Sequence, residues 1–230
     1  MLSHLLRGGD LTSFVISFLL SLPIALLALS LHETAHGFAA WRLGDPTARA
    51  FGRLTLNPIK HLNPLGTLCM ILTGFGWANP VPINTRYFKK PRRDIAITAL
   101  AGPVSNLLLA AIFLLLLRFV GYDLLIYKVV FNPEATELWK NVAIYLYNFF
   151  YLGVAMNVSL ALFNLFPVPP LDGSRILFSL LPPKVYFKIM PYERQITTAL
   201  LVLLLISTYF GWFSALVDLI LNGLLALVGM

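Results

Sequence analysis

The stretch Ser30-Leu31-His32-Glu33-Thr34-Ala35-His36-Gly37 lies within a run of apolar residues, and its reading governs the rest of the chain. On a helix of 3.6 residues per turn, His32 and His36 project from one face, where both imidazoles can reach a single metal ion. Glu33 stands beside them, placed to accept a proton from a water held by that metal, as metal-assisted hydrolysis requires. The setting strengthens this reading. Residues 11–31 carry no charge, and Thr12, Ser13, Ser17, Ser21 and Ser30 are their only polar side chains, so the motif ends a membrane-spanning stretch. An unpaired charge in hydrocarbon costs about 2.5 kcal/mol or more, so ionisable groups persist there mainly where they are paired or functional.

Composition sets the class. The chain is 58% hydrophobic and 12% charged, and its mean hydropathy is +0.80, which is the balance of an integral membrane protein. A spanning helix needs roughly 20 apolar residues, so the chain can cross a bilayer several times. Its net charge is +7, but the basic residues cluster in loops between apolar runs, as the positive-inside rule expects, and do not signal nucleic-acid binding. Cys69 is the single cysteine, so no internal disulfide can form. The apolar run after residue 10 is too long for a signal-peptide core and leads straight into the metal motif, so it is read as part of the mature protein.

Outward from the motif, residues 1–10 form a polar lead with Arg7 and Asp10, and residues 11–43 form the first helix, closed by Gly44-Asp45-Pro46. Such a helix is about 50 Å long against a hydrocarbon core of about 30 Å, so the histidines fall near its far end. Residues 45–93 carry Arg49, Arg53, Lys60, Arg86, Lys89, Lys90, Arg92 and Arg93, which marks a cytoplasmic connection. Two short strands are expected in it, at 50–56 and 77–83, with an apolar piece at 65–75 that suits a re-entrant or interfacial segment. Pro80 and Pro82 confine the second strand to a sheet edge, where it could bind an extended substrate by strand addition. Asn79 on that strand is read as a substrate contact. His61, with no partner at ligand spacing, is read as solvated.

A second span is expected at 95–120, opening with Gly102-Pro103-Val104-Ser105-Asn106, small and polar residues suited to close helix approach. A loop at 121–140 on the opposite side leads to a third span at 139–166. Then comes Asn164-Leu165-Phe166-Pro167-Val168-Pro169-Pro170-Leu171-Asp172-Gly173, whose prolines forbid a continuous helix. Irregular backbone at membrane depth is tolerated only where it lines a cavity. Residues 196–230 are apolar and too long for one crossing, so they divide near Gly211. The expected fold is an all-α polytopic membrane protein with five to six transmembrane segments and a small membrane-associated β element. It forms a single domain over 1–230, with a core at about 11–181 and C-terminal helices at 182–230.

The charge pattern puts the end of the first helix and the Pro-rich break at one membrane face, so His32, His36 and Asp172 can converge. Two imidazoles and a carboxylate make a three-ligand zinc set with a fourth position for water. Glu33 is the general base, and Asn164, with Asn106 second, is the candidate donor to the developing oxyanion. Asn106 is also read as a substrate contact.

Together these pieces resemble the site-2 protease family of intramembrane zinc metalloproteases. The carriers are His32-Glu33-Thr34-Ala35-His36, the Asn164 to Asp172-Gly173 segment, and Gly102-Pro103-Val104-Ser105-Asn106, similar to a G-P-x-x-N feature of the family's second core helix. The resemblance implies one zinc held by His32, His36 and Asp172, with Glu33 as catalytic base and Asn164 holding substrate or oxyanion. It also implies a three-helix core with a β-rich element beside the site, and residence in a prokaryotic cell membrane. No room is left for the PDZ or CBS domain of many members. The partners implied are transmembrane protein substrates and the lipid bilayer, with no nucleic acid and with a homo-oligomer left open. Two other classes fit the residues less well: a zinc-binding membrane chaperone or adaptor, and a metal-ion transporter. The intact Glu33 argues against the first; a single ionisable cluster without internal repeats argues against the second.

Overall fold

The computed structural model describes residues 11–66, 69 and 78–230. Helix α1 (Leu11–Arg42) runs unbroken through Pro23. It stops where the sequence predicts: Gly44 takes a φ of 109°, its N–H reaches Trp41 O at 3.1 Å, and the Asp45 N–H reaches Ala40 O at 2.9 Å. Only glycine adopts that backbone without strain. The buried Asp45 carboxylate then accepts the Thr47 hydroxyl, the Thr47 N–H at 2.9 Å and the Asn84 N–H at 2.7 Å. Both ends of the long connection are thereby tied to the end of α1.

The connection itself departs from expectation. Among the described residues there is no sheet, and its β pairing is one isolated antiparallel bridge, Leu62 to Ala78. Where a strand was expected at 50–56, a helical turn (Thr47–Ala50) ends and Gly52, at φ 62°, reverses the chain. The Phe51 N–H bonds back to Thr47 O at 3.0 Å and the Arg53 N–H to Ala48 O at 2.9 Å, so these donors are spent locally and cannot join a ladder. Residues 79–84 take no regular structure, and Pro80 and Pro82 offer no N–H to pair. His61 is a second correction: it is fully buried, not solvated, and its Nε2 donates to Thr55 O at 2.7 Å. The lead at 1–10 and most of the 65–75 piece lie outside the described residues.

Helix α2 (Pro91–Leu116) starts at a proline, and the Asp94 carboxylate in its first turn accepts the Lys90 N–H at 2.9 Å. Beyond Leu116 it continues in a wider π-helical winding to Val130. The loop expected at 121–140 therefore shrinks to the turn before helix α3 (Glu137–Leu165). Asp123, a loop charge in the sequence reading, pairs with Arg118 along the same helix, and Arg118 also donates to Val228 O at 2.8 Å. Among the described residues three helices are long and apolar enough to cross a membrane: Val15–Arg42, Pro91–Val130 and Glu137–Leu165. Their contact is lined by Ile24 and Ala28, by Leu109, Phe113 and Leu117, and by Val154 and Val158. At Gly153 an added Cβ would lie 2.3 Å from the Phe113 ring, so glycine lets α2 and α3 close up. In lipid such contacts hold through packing and interhelical hydrogen bonds, since tails are as apolar as leucine.

After the Pro-rich break come helix α4 (Asp172–Leu180), which lies against α2, and the short α5 (Pro183–Ile189). Helices α6 (Glu193–Phe210) and α7 (Trp212–Leu227) follow, divided at Gly211 with φ 68°, as the sequence predicts. The α7 side chains Val217 and Leu221 close the core; its apolar part, Phe213–Leu227, is shorter than the three long helices.

Candidate metal centre

His32 and His36 lie one turn apart on α1, near its C-terminal end and buried at 7% exposure each. Their Nε2 atoms are 3.0 Å apart, and the Oδ2 of Asp172 lies 3.1 Å from each. Three donor atoms therefore form a nearly equilateral triangle. Zinc bonds near 2.0–2.1 Å in a tetrahedral shell put ligand atoms about 3.3 Å apart, close to this triangle.

Protons at the far side of each ring test the fit. The Nδ1 of His36 lies 2.7 Å from Thr98 O, a carbonyl that can only accept, so Nδ1 carries the hydrogen. The Nδ1 of His32 lies 2.6 Å from Asn106 Oδ1. That Asn106 atom is the oxygen, because its amide nitrogen faces two other acceptors, Ala28 O at 3.3 Å and Asn157 Oδ1 at 3.2 Å. With the hydrogen on Nδ1, each ring in its neutral form turns a bare Nε2 lone pair toward the carboxylate oxygen. Three lone-pair donors at this spacing repel one another unless a cation sits among them. Among the described residues no fourth His, Cys, Asp or Glu joins the group, so a coordination position stays open, as in catalytic zinc sites.

Two glycines make the convergence possible. A Cβ on Gly102 would fall 2.4 Å from His36 Nε2 and 2.6 Å from His32 Cε1, so the imidazoles occupy the space a side chain would take. A Cβ on Gly173 would fall 2.2 Å from Leu165 O and 2.4 Å from Phe166 O, so glycine brings the start of α4 against the end of α3 and delivers Asp172. Sequence reading sees the small residues at 102–106 as packing. Their finer signal is that Gly102 and Asn106 are four apart, which puts the clearance and the hydrogen-bond acceptor on one face of α2.

Glu33 follows His32 on α1, and its Oε2 accepts the Val81 N–H at 2.9 Å. Oε1 takes no hydrogen bond from the described residues, so one carboxylate oxygen is held and the other is free. Asn164 sits in the last turn of α3 and donates one amide hydrogen to Leu160 O at 3.0 Å, keeping its second. Asn79 is turned into the connection: its amide donates to Leu62 O at 2.9 Å, its Oδ1 lies 2.9 Å from Asn63 Nδ2, and Arg53 grips its carbonyl at 2.6 Å. Asn106 has no exposed surface and lies beneath His32. The structure thus brings His32, His36, Asp172 and Asn106 into direct contact, with Glu33 adjacent on α1, and holds Asn79 within the connection. The Val81 N–H, Thr98 O and Asn157 were not legible in the sequence as parts of the site.

The family model of peptidase family M50 matches residues 18–207. A Bacillus subtilis protein that carries a zinc metalloprotease name, YwhC, is 42% identical over 189 residues, which cover 81% of this chain and 81% of its own. Rip2 of Mycolicibacterium smegmatis, similarly named, is 33% identical over 211 residues, 89% of this chain and 74% of its own. Rip2 of Mycobacterium tuberculosis (strain H37Rv) is 34% identical over 194 residues, 82% of this chain and 67% of its own. No solved structure matches the chain.

Proposed function

The chain belongs to peptidase family M50, the site-2 proteases, and from that premise we propose that this zinc metalloprotease is an intramembrane endopeptidase. It cuts peptide bonds in or near transmembrane segments of other membrane proteins. The observation that supports this most is the triangle of His32 Nε2, His36 Nε2 and Asp172 Oδ2, with both Nδ1 hydrogens committed elsewhere, near the end of a helix of spanning length.

Bound zinc supplies a Lewis acid that polarises a carbonyl and brings the pKa of water toward 7. The protein's own groups do the rest. Glu33, held by Val81 through Oε2, uses Oε1 to take a proton from the attacking water and passes it to the leaving amine nitrogen. Asn164 turns its second amide hydrogen to the scissile carbonyl oxygen as negative charge develops there.

A substrate helix hides its peptide bonds in its own hydrogen bonds, and bare backbone in lipid is costly. Residues 78–84 offer a place for a freed strand. The Val81 carbonyl and both backbone groups of Ile83 bond to nothing among the described residues, while Asn79 braces the segment from behind. The basic connection supports a site that faces the cytoplasm. Substituting Ile83→Pro should reduce cleavage of helical substrates more than of pre-extended peptides; equal losses on both count against the capture role.

The deciding assay incubates purified protein and its Glu33→Gln form with a tagged single-span substrate in detergent or vesicles. Native protein should release product, and Glu33→Gln should lose about 10³-fold or more in rate. Equal product from both forms would remove the hydrolase reading.

A further inference from the structure

Behind His32 the structure holds a chain of hydrogen bonds that crosses all three long helices. Asn157 of α3 is completely buried, and its amide nitrogen donates to Gly153 O at 2.8 Å. Gly153 O is a backbone carbonyl and can only accept, so the Asn157 nitrogen is fixed there and its Oδ1 faces α2. Oδ1 accepts from the Asn106 amide at 3.2 Å, and a second contact runs from the same nitrogen to Ala28 O at 3.3 Å. With both amide hydrogens engaged, Asn106 has only its oxygen left for His32 Nδ1, at 2.6 Å.

We propose that Asn157 and Asn106 are positioning residues that fix the tautomer of His32, so that its Nε2 is presented to metal as a bare lone pair. The proposal rests on the zinc-site reading above and adds residues to it that never touch the metal. Its logic is the symmetry of an amide. Oxygen and nitrogen of Asn106 are nearly the same size, and a half-turn about its last torsion would aim an N–H at His32 Nδ1. His32 would then have to accept at Nδ1 and carry its hydrogen on Nε2, where it cannot bind a metal. Asn157 Oδ1, with Ala28 O beside it, opposes that half-turn, because flipping Asn106 would set its oxygen against both of theirs. For His36 the same task falls to Thr98 O, a backbone atom that cannot rotate. Only the His32 side therefore needs a second residue to hold the first.

The test is metal affinity, read by competition with a chromophoric chelator on purified detergent-solubilised full-length chain, using Zn2+, with the visible spectrum of the Co2+ form as a second readout. Asn106→Leu should weaken zinc binding about 10–100-fold and change the Co2+ spectrum, as loss of an outer-shell partner does. Asn157→Leu, remote from the metal, should weaken it by about tenfold. Adding Asn106→Asp to Asn157→Leu should bring affinity back to within about threefold of native, because a carboxylate can only accept, whichever way it is turned. Asn157→Asp in its protonated form gives its hydrogen to Gly153 O and keeps a carbonyl acceptor facing Asn106, so affinity should stay near native.

Native affinity in Asn157→Leu would overturn the proposal. So would a double variant as weak as Asn157→Leu alone, since a loss of packing is not repaired by a carboxylate on the neighbouring helix. If Asn157→Leu melts early without metal, Asn157→Asp decides, and an equal loss of affinity there overturns the relay. None of these readouts needs peptide cleavage. A protein that binds zinc in this pattern yet cuts nothing would refute the protease reading and leave the relay standing.

Discussion

The residues that meet at the metal centre arrive by opposite routes. His32 and His36 ride on α1, a continuous helix, so their spacing is set by the backbone alone. Asp172 arrives after a run in which Pro167, Pro169 and Pro170 interrupt α3, and its position depends on the start of α4 packing against the end of α3. The first route tolerates change because one turn of helix already holds the pair together. The second has no such local rule, and its accuracy comes from the contact at Gly173.

This contrast yields graded expectations. Removing the carboxylate itself, in Asp172→Ala, should cost most: zinc affinity should fall by about 10³-fold or more and cleavage should vanish, because an anionic ligand is lost from a set of three. Retained zinc in that variant, measured by metal analysis after dialysis, would break the account. Gly173→Ala keeps every ligand but sets a Cβ 2.2 Å from a backbone carbonyl, so α4 must shift. About 100-fold in zinc affinity and in kcat/KM should go together, since a misplacement of about 1 Å at a catalytic centre costs on that order. Near-native values would mean that the break is more forgiving than its geometry implies.

Smaller effects belong to the continuous side. Asp45→Asn leaves the ligands alone but weakens a buried carboxylate that accepts Thr47 and Asn84 beside the end of α1. A loss of about 1–3 kcal/mol of stability is expected, read as a lower melting temperature with zinc affinity preserved. Smallest of all should be Pro23→Ala. It restores one helical hydrogen bond to α1 nine residues before His32 and should leave cleavage and zinc affinity within about twofold, with melting temperature unchanged or raised. A large loss of zinc affinity there would show that α1 is not the self-sufficient scaffold that the comparison makes it.

The same contrast explains what could be read from the sequence. The spacing of His32, Glu33 and His36 is a local property of helix and was legible outright, as were the stops at Gly44 and Gly211, because each follows from a few neighbouring residues. That Asp172 meets the two histidines was legible because an acidic residue in a Pro-broken apolar run needs a partner. What the sequence did not carry is how closely distant segments pass one another. Gly102 and Gly173 matter through the atoms they leave room for, and Asn157 acts through Asn106 on another helix; neither relation has a sequence spacing. Among the described residues the strands expected at 50–56 and 77–83 form no sheet, because Gly52 turns the first back on itself and Pro80 and Pro82 strip donors from the second. His61 reads as solvated because it has no partner at ligand spacing, whereas the fold buries it against Thr55. Asp123 stands in the expected loop at 121–140, whereas its pairing with Arg118 keeps it on the continuing helix.

Zinc-edge X-ray absorption on the purified protein, native and Asp172→Ala, addresses the central claim most directly, that α1 and the Pro-rich break share one cation. The native spectrum should show two imidazole nitrogens and a carboxylate oxygen at about 2.0–2.2 Å with no sulfur, and Asp172→Ala should lose the carboxylate or the zinc itself. A sulfur ligand, or a native zinc spectrum that Asp172→Ala leaves unchanged, would contradict it.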